Sequence, residues 1–167
     1  MVDRLFVAVV GERNAGKSKT WNALFGHEVK TGKKPRALNV DEGLWTNVFL
    51  ISGSNEEKRT YAADVLKDVD CRIVLCAVQY IEEAFRRTWN YVFDERFLIY
   101  VQWLNPGYRG EFEPDSIGLV DRLLCRNAIV SIRDGQDENA GLHRRVEELR
   151  QFIHGWASAR GLVYQRT

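Results

Sequence analysis

Residues 11–26 read GERNAGKSKTWNALFG and follow directly on the apolar run LFVAVV at 5–10. Gly11, Gly16, Lys17 and Ser18 meet the spacing G-x-x-x-x-G-K-[ST] without a mismatch. The flanks are those the spacing requires, an apolar strand pattern before it and a helix pattern after it. Gly11 and Gly16 let the backbone curl and approach a cluster of oxygens with no side chain in the way. The N–H groups of the loop, through Asn14, Ala15 and Gly16 to Lys17, Ser18 and Lys19, are expected to form an anion nest backed by the helix N-terminus. Lys17 is expected to place its charge at the outer phosphates of a nucleotide, and Ser18 to offer a hydroxyl to Mg²⁺.

The rest of the composition limits what such a loop serves. The chain has 167 residues, the size of one ordinary domain, so 1–167 is expected to be a single unit. It is 45% hydrophobic and 28% charged, which argues against extensive disorder. Net charge is +1, so no global excess points to nucleic acid or to a membrane surface. The apolar runs fall far short of the ~20 residues a membrane span needs, and the N-terminus lacks a signal-peptide pattern. Cys71, Cys76 and Cys125 contain no C-x-x-C pair. Buried reduced thiols and a cytoplasmic location are the expectation.

Short apolar runs alternate with helical patterns, the mark of an α/β fold with helices covering a sheet. Strands are expected at about 4–10, 72–79, 97–104 and 127–132. Residues 36–52 read as a hairpin turning near Asp41, Glu42 and Gly43, which sets one antiparallel strand at the sheet edge. Helices are expected at 17–25, 55–68, 81–93, 115–124 and about 139–159. The last carries Leu142, Val146, Leu149, Ile153 and Trp156 on one stripe. Between the first helix and the hairpin lies a basic loop with Lys30, Lys33, Lys34 and Arg36. His27, His143 and His154 have no metal spacing.

The stretch GERNAGKS…WNALFG resembles the translation-factor-related, Ras-like GTPases, whose pattern is G-x-x-N-x-G-K-S followed by a leucine-asparagine-alanine-leucine helix ending in glycine. Asn22, Ala23, Leu24 and Gly26 match that helix. The resemblance implies a three-layer P-loop NTPase fold, G-domain-like, with a mostly parallel sheet and one antiparallel edge strand. It also implies Mg²⁺ and a nucleoside triphosphate as ligands. The family's later motifs are degenerate here. Its Asp-x-x-Gly falls on FLISGSNEEK at 49–58, where one register puts Ser52 at the Asp and another puts Ile51 there, with Asn55 at the catalytic glutamine. Its Asn-Lys-x-Asp falls on NPGY, where Asn105 fits and Pro106 and Tyr108 replace Lys and Asp. Guanine loses its carboxylate reader, so ATP and GTP are equally expected.

On this reading Lys17 and Asn55 are the candidate catalytic residues. Gly11, Asn14, Ala15, Gly16, Lys17, Ser18, Lys19 and Asn105 are the candidate nucleotide contacts, and Ser18 is the metal ligand. Asp41, Glu42, Glu56 and Glu57 are the carboxylates near the expected switch loops, against a plainer role as turn and helix-start residues. Tyr108 is placed to stack on a base. Three functions compete. One is an NTPase switch with slow or partner-stimulated hydrolysis and a protein partner. The second is an interaction module that holds nucleotide without turnover. The third is a small-molecule phosphotransferase with Arg86 and Arg87 as a lid.

Overall fold

The apolar runs form one seven-stranded sheet in the computed structural model, which describes residues 2–52, 61–136 and 139–166. In chain order the elements are β1 (Leu5–Gly11), α1 (Lys17–Phe25), β2 (Arg36–Asp41), β3 (Leu44–Ile51), α2 (Ala62–Leu66) and β4 (Ile73–Gln79). A π-helical turn (Phe85–Trp89) then continues into α3 (Asn90–Asp94). β5 (Leu98–Leu104), α4 (Leu119–Leu124), β6 (Ile129–Arg133), α5 (Ala140–Ser158) and β7 (Tyr164–Gln165) follow.

The strand order is β2-β3-β4-β1-β5-β6, with β7 on β3. β3, β4, β1, β5 and β6 run parallel. β2 lies antiparallel at the edge, as the hairpin pattern predicts. β1 is buried at every position, because helices cover both faces of the central sheet. Its residues Leu5, Val7 and Val9 meet Trp21 and Leu24 of α1 and Val146, Leu149 and Ile153 of α5. Phe6, Ala8 and Val10 point the other way, into the core shared with Phe85, Trp89, Val92, Leu119 and Leu123. The result is the three-layer α/β P-loop fold.

α1 has nine residues and no side-chain cap. A helix below about 12 residues is marginal alone, so α1 depends on Trp21, which is fully buried, for its seat on the sheet. Full burial of a large apolar side chain contributes on the order of 2–3 kcal/mol.

Several boundaries differ from the sequence pattern. The 81–93 helix starts at Glu83 and passes into the π-helical turn at Phe85, and the 115–124 helix starts at Leu119. In both places the preceding residues are used for long-range contacts. Tyr80 stacks on Trp103 with ring centres 4.9 Å apart, and its hydroxyl donates to Asp115 at 2.6 Å. β7 has no sequence signal because it is two residues long. Cys71 and Cys76 are buried as expected, but Cys125 is exposed, since it ends the short α4 on the solvent side. Residues 55–60 of the expected 55–68 helix lie outside the described residues.

Candidate nucleotide phosphate site

The loop after β1 has a built backbone. Asn14 has φ 63 and Gly16 has φ 103, both left-handed, so successive N–H groups turn inward. A Cβ on Gly11 would stand 2.6 Å from the Cβ of Ala15, so the loop closes only over glycine there. Gly16 sits before Lys17, the first residue of α1, and no side chain caps that helix. The first N–H groups of α1 are therefore available to an anion, with the positive end of the helix dipole behind them.

Lys17 is the charged member. Its side chain is buried, and Nζ donates to the carbonyl oxygens of Gly11 at 2.9 Å and Glu12 at 2.8 Å. These bonds hold the ammonium across the loop rather than out in solvent. Ser18 is exposed on the first turn of α1, open to a metal-bound phosphate. Asn14 and Lys19 are exposed as well, and Ala15 is buried at the loop's inner wall.

Two further loops press on this one. The Tyr108 N–H donates to the Ala15 carbonyl at 2.9 Å, and the Gly135 N–H to the Pro106 carbonyl at 2.8 Å. A Cβ on Gly107 would come within 2.8 Å of Ala15 Cβ, and one on Gly135 within 2.9 Å of the Ala15 oxygen. The ends of β5 and β6 thus form the flank where a nucleoside attached to the bound phosphates would lie. Asn105 is buried there, and its carboxamide is engaged at both ends by the backbone of Glu113, at 2.7 and 3.0 Å. It braces the 105–113 loop. The ring of Tyr108 has Lys19 Nζ over its face, 3.5 Å from the centre, which places Tyr108 beside the first turn of α1.

Sequence reasoning missed what stands behind the cradle. Arg145 of α5 is buried and donates from Nη1 to the Thr20 hydroxyl, which in turn donates to the Gly16 carbonyl at 2.8 Å. Burial pulls its pKa down to about 10 against the pull of Asp134, so it remains a cation at neutral pH. Its Nε has no hydrogen-bond partner among the described residues. A buried cation one residue layer behind Gly16 adds positive potential under an anion nest. The pattern in α5 reads as an apolar stripe, and nothing local marks Arg145 as facing inward.

The expected switch side gives a mixed result. Thr31, in the basic loop, shares a hydrogen bond with Ser52 at 3.1 Å between hydroxyls, and its Oγ1 accepts from the Ser52 N–H at 2.8 Å. Ser52 and Ile51, which the two registers put at the family's Asp place, are both buried. Asn55, Glu56 and Glu57 lie outside the described residues. Asp41 and Glu42 form the exposed hairpin turn, with the Glu42 N–H donating to Asp41 at 2.8 Å, which fits the turn role. Arg86 and Arg87 both pair with Glu83 on the helix that packs against the sheet face opposite α1. Among the described residues no cluster of three His, Cys, Asp or Glu side chains could hold a metal. Mg²⁺ at this site would be held by Ser18, phosphate oxygens and water, an oxygen set that suits a cation reluctant to lose its hydration.

The family model of the 50S ribosome-binding GTPases matches residues 6–88. That span holds the phosphate loop, the hairpin and the end of β4, and stops before the loops that follow β5 and β6. Neither the curated proteins nor the solved structures gave a match.

Proposed function

We propose, since the chain belongs to the P-loop GTPase family, that it binds a Mg²⁺-complexed nucleoside triphosphate on the Gly11–Lys19 loop. We further propose that it works as a G-domain-like switch with slow or partner-stimulated hydrolysis. The observation that carries this reading is the preorganised cradle, with Lys17 Nζ fixed by the Gly11 and Glu12 carbonyls at the N-terminus of α1. Preorganised donors need no rearrangement when charge builds on the transferring phosphoryl group. Gly11, Asn14, Ala15, Gly16 and Lys19 line the phosphates, Lys17 neutralises them, and Ser18 ligates the metal. Ser18 would hold Mg²⁺, which would supply positive charge against the phosphates.

Base selection is weak in this reading. Asn105 is used to brace its own loop, and Tyr108 stands where a guanine-reading carboxylate would be. Tyr108 offers a ring face, which accepts purines without distinguishing them. ATP and GTP then bind with similar affinity. The basic loop around Thr31 is the moving part, ordered by nucleotide and read by a protein partner in the cytoplasm.

One observation favours the second reading, a module that binds without turnover. Neither Ser52 nor Ile51, which the two registers put at the place of the supporting Asp, has a carboxylate, and Ser52 is held by Thr31. Phosphate release decides between them. With Mg²⁺ and labelled ATP or GTP, release that disappears in Lys17→Ala supports the switch. Tight binding with no release, with potassium present, supports the module. Nothing in the placement of Arg86 and Arg87 favours a phosphotransferase lid.

A further inference from the structure

We propose that Gln79 is the residue that orients the attacking water in nucleotide hydrolysis. This rests on the NTPase reading above and adds a residue to it. β4 lies between β3 and β1, so the strand beside the phosphate loop is β4. The end of β3, where the supporting Asp and the glutamine were sought, is two strands away from β1, about 10 Å at ordinary strand spacing. Ligands of parallel sheets bind outside the carboxyl ends of the strands. The carboxyl end nearest the cradle on this side is that of β4, and its last residue is Gln79.

Three facts fix Gln79 beside the reacting end. Gly11 and Gln79 are register partners in the β1–β4 ladder. The next residue, Tyr80, donates its N–H to the Gly11 carbonyl at 2.9 Å, and Lys17 Nζ donates to that same oxygen at 2.9 Å. The ammonium therefore lies on the β4 side of the loop. Side chains alternate along β4. Ile73, Leu75 and Ala77 belong to the core under α1 and α5, and Val74, Cys76 and Val78 to the opposite core. Gln79 continues the first set, on the face that carries α1. It is half-buried at the sheet's end, with a carboxamide where the strand's other side chains are apolar.

A carboxamide has an acceptor oxygen and a donor nitrogen. With the oxygen accepting from water and the nitrogen donating to a γ-phosphate oxygen, it holds water in line with the bond to be broken. The water oxygen bonds to the γ-phosphorus and the bond from that phosphorus to the bridging oxygen breaks. Nucleoside diphosphate leaves with the electron pair. One proton of the water stays on inorganic phosphate and the other goes to solvent. Gln79 itself neither gains nor loses a proton.

The test compares wild type, Gln79→Leu and Lys17→Ala in single-turnover hydrolysis of Mg²⁺-ATP and Mg²⁺-GTP, with Kd from a non-hydrolysable analogue. The expected result for Gln79→Leu is a fall in turnover of roughly tenfold to a hundredfold, with Kd within about twofold of wild type. Lys17→Ala is expected to lose binding. If Gln79→Leu does not fold, Gln79→Asn carries the test, since it keeps the amide but draws it back by one methylene. Gln79→Glu adds a pH readout, because it puts a titrating group beside the water where wild type has none, and its rate is expected to gain a pH dependence. Turnover by Gln79→Leu or Gln79→Asn equal to wild type overturns the role of Gln79 and leaves the NTPase reading standing. A wild type that binds the analogue but never releases phosphate overturns both.

Discussion

The cradle depends on single backbone positions, and the clearest is Gly16. At φ 103 a side chain is strained whatever space surrounds it. Gly16→Ala is expected to lose about 1 kcal/mol or more of stability and to weaken nucleotide binding. Thermal unfolding and equilibrium binding would report the two effects separately, and full retention of both would contradict the strained-nest account. Gly107 tests a different cause. Its Cβ would sit 2.8 Å from Ala15 Cβ, so Gly107→Ala is expected to push the 105–108 loop off the cradle and raise the nucleotide Kd. Kd unchanged by Gly107→Ala would show that the flank does not shape the site. Gly11, Gly16, Lys17 and Ser18 were legible in the sequence because the chemistry of a phosphate loop is local in the chain. Arg145 and Gln79 were not. One faces the site from a helix more than a hundred residues away, and the other only through a parallel strand pairing, which leaves no local pattern.

At the scale of elements, the clasp between Tyr80 and Asp115 links the end of β4 to α4. Asp115 accepts from the Tyr80 hydroxyl at 2.6 Å and from the N–H groups of Leu119 at 2.8 Å and Val120 at 2.9 Å. Burial alone would raise its carboxyl pKa, but the Tyr80 hydrogen bond and those from the Val120, Leu119 and Gly118 backbone hold it below the ordinary value. A carboxyl lowered in the folded state stabilises the fold above its unfolded pKa. That contribution fades as pH falls through the lowered folded value. Asp115→Asn is therefore expected to cost about 1–2 kcal/mol near neutral pH, and the gap from wild type should close on acidification below about pH 4. Urea unfolding at several pH values measures this, and a gap that widens in acid would contradict it. The same clasp explains why the 115–124 pattern starts late as a helix, since Asp115 serves as its cap from outside. The hairpin, α1 and the α5 stripe were readable from period and turn composition. The place of β4 between β3 and β1 was not, because apolar runs buried on both faces look alike in sequence.

Across the whole molecule, α5 and α1 share one core with the phosphate loop, and Arg145, buried at that junction, donates to Thr20, whose hydroxyl donates to the Gly16 carbonyl. Removing the Arg145 charge while keeping its bulk separates electrostatics from packing. Arg145→Met is expected to fold with stability near wild type yet bind triphosphate more weakly, whereas Arg145→Ala is expected to lose stability as well. Equal binding by Arg145→Met and wild type would mean the buried cation does not act on the site. The fold, the cradle and the match over residues 6–88 converge on one claim, that this sheet holds the phosphates of a nucleotide. Among the described residues no helix is long and apolar enough to cross a membrane. The most direct test is calorimetric titration of the wild type and Lys17→Ala with GTP and ATP, with Mg²⁺ and again with the metal chelated. Saturable binding of both nucleotides, weakened by chelation and lost in Lys17→Ala, is the expected result. Absence of binding to wild type, or undiminished binding to Lys17→Ala, would contradict the account.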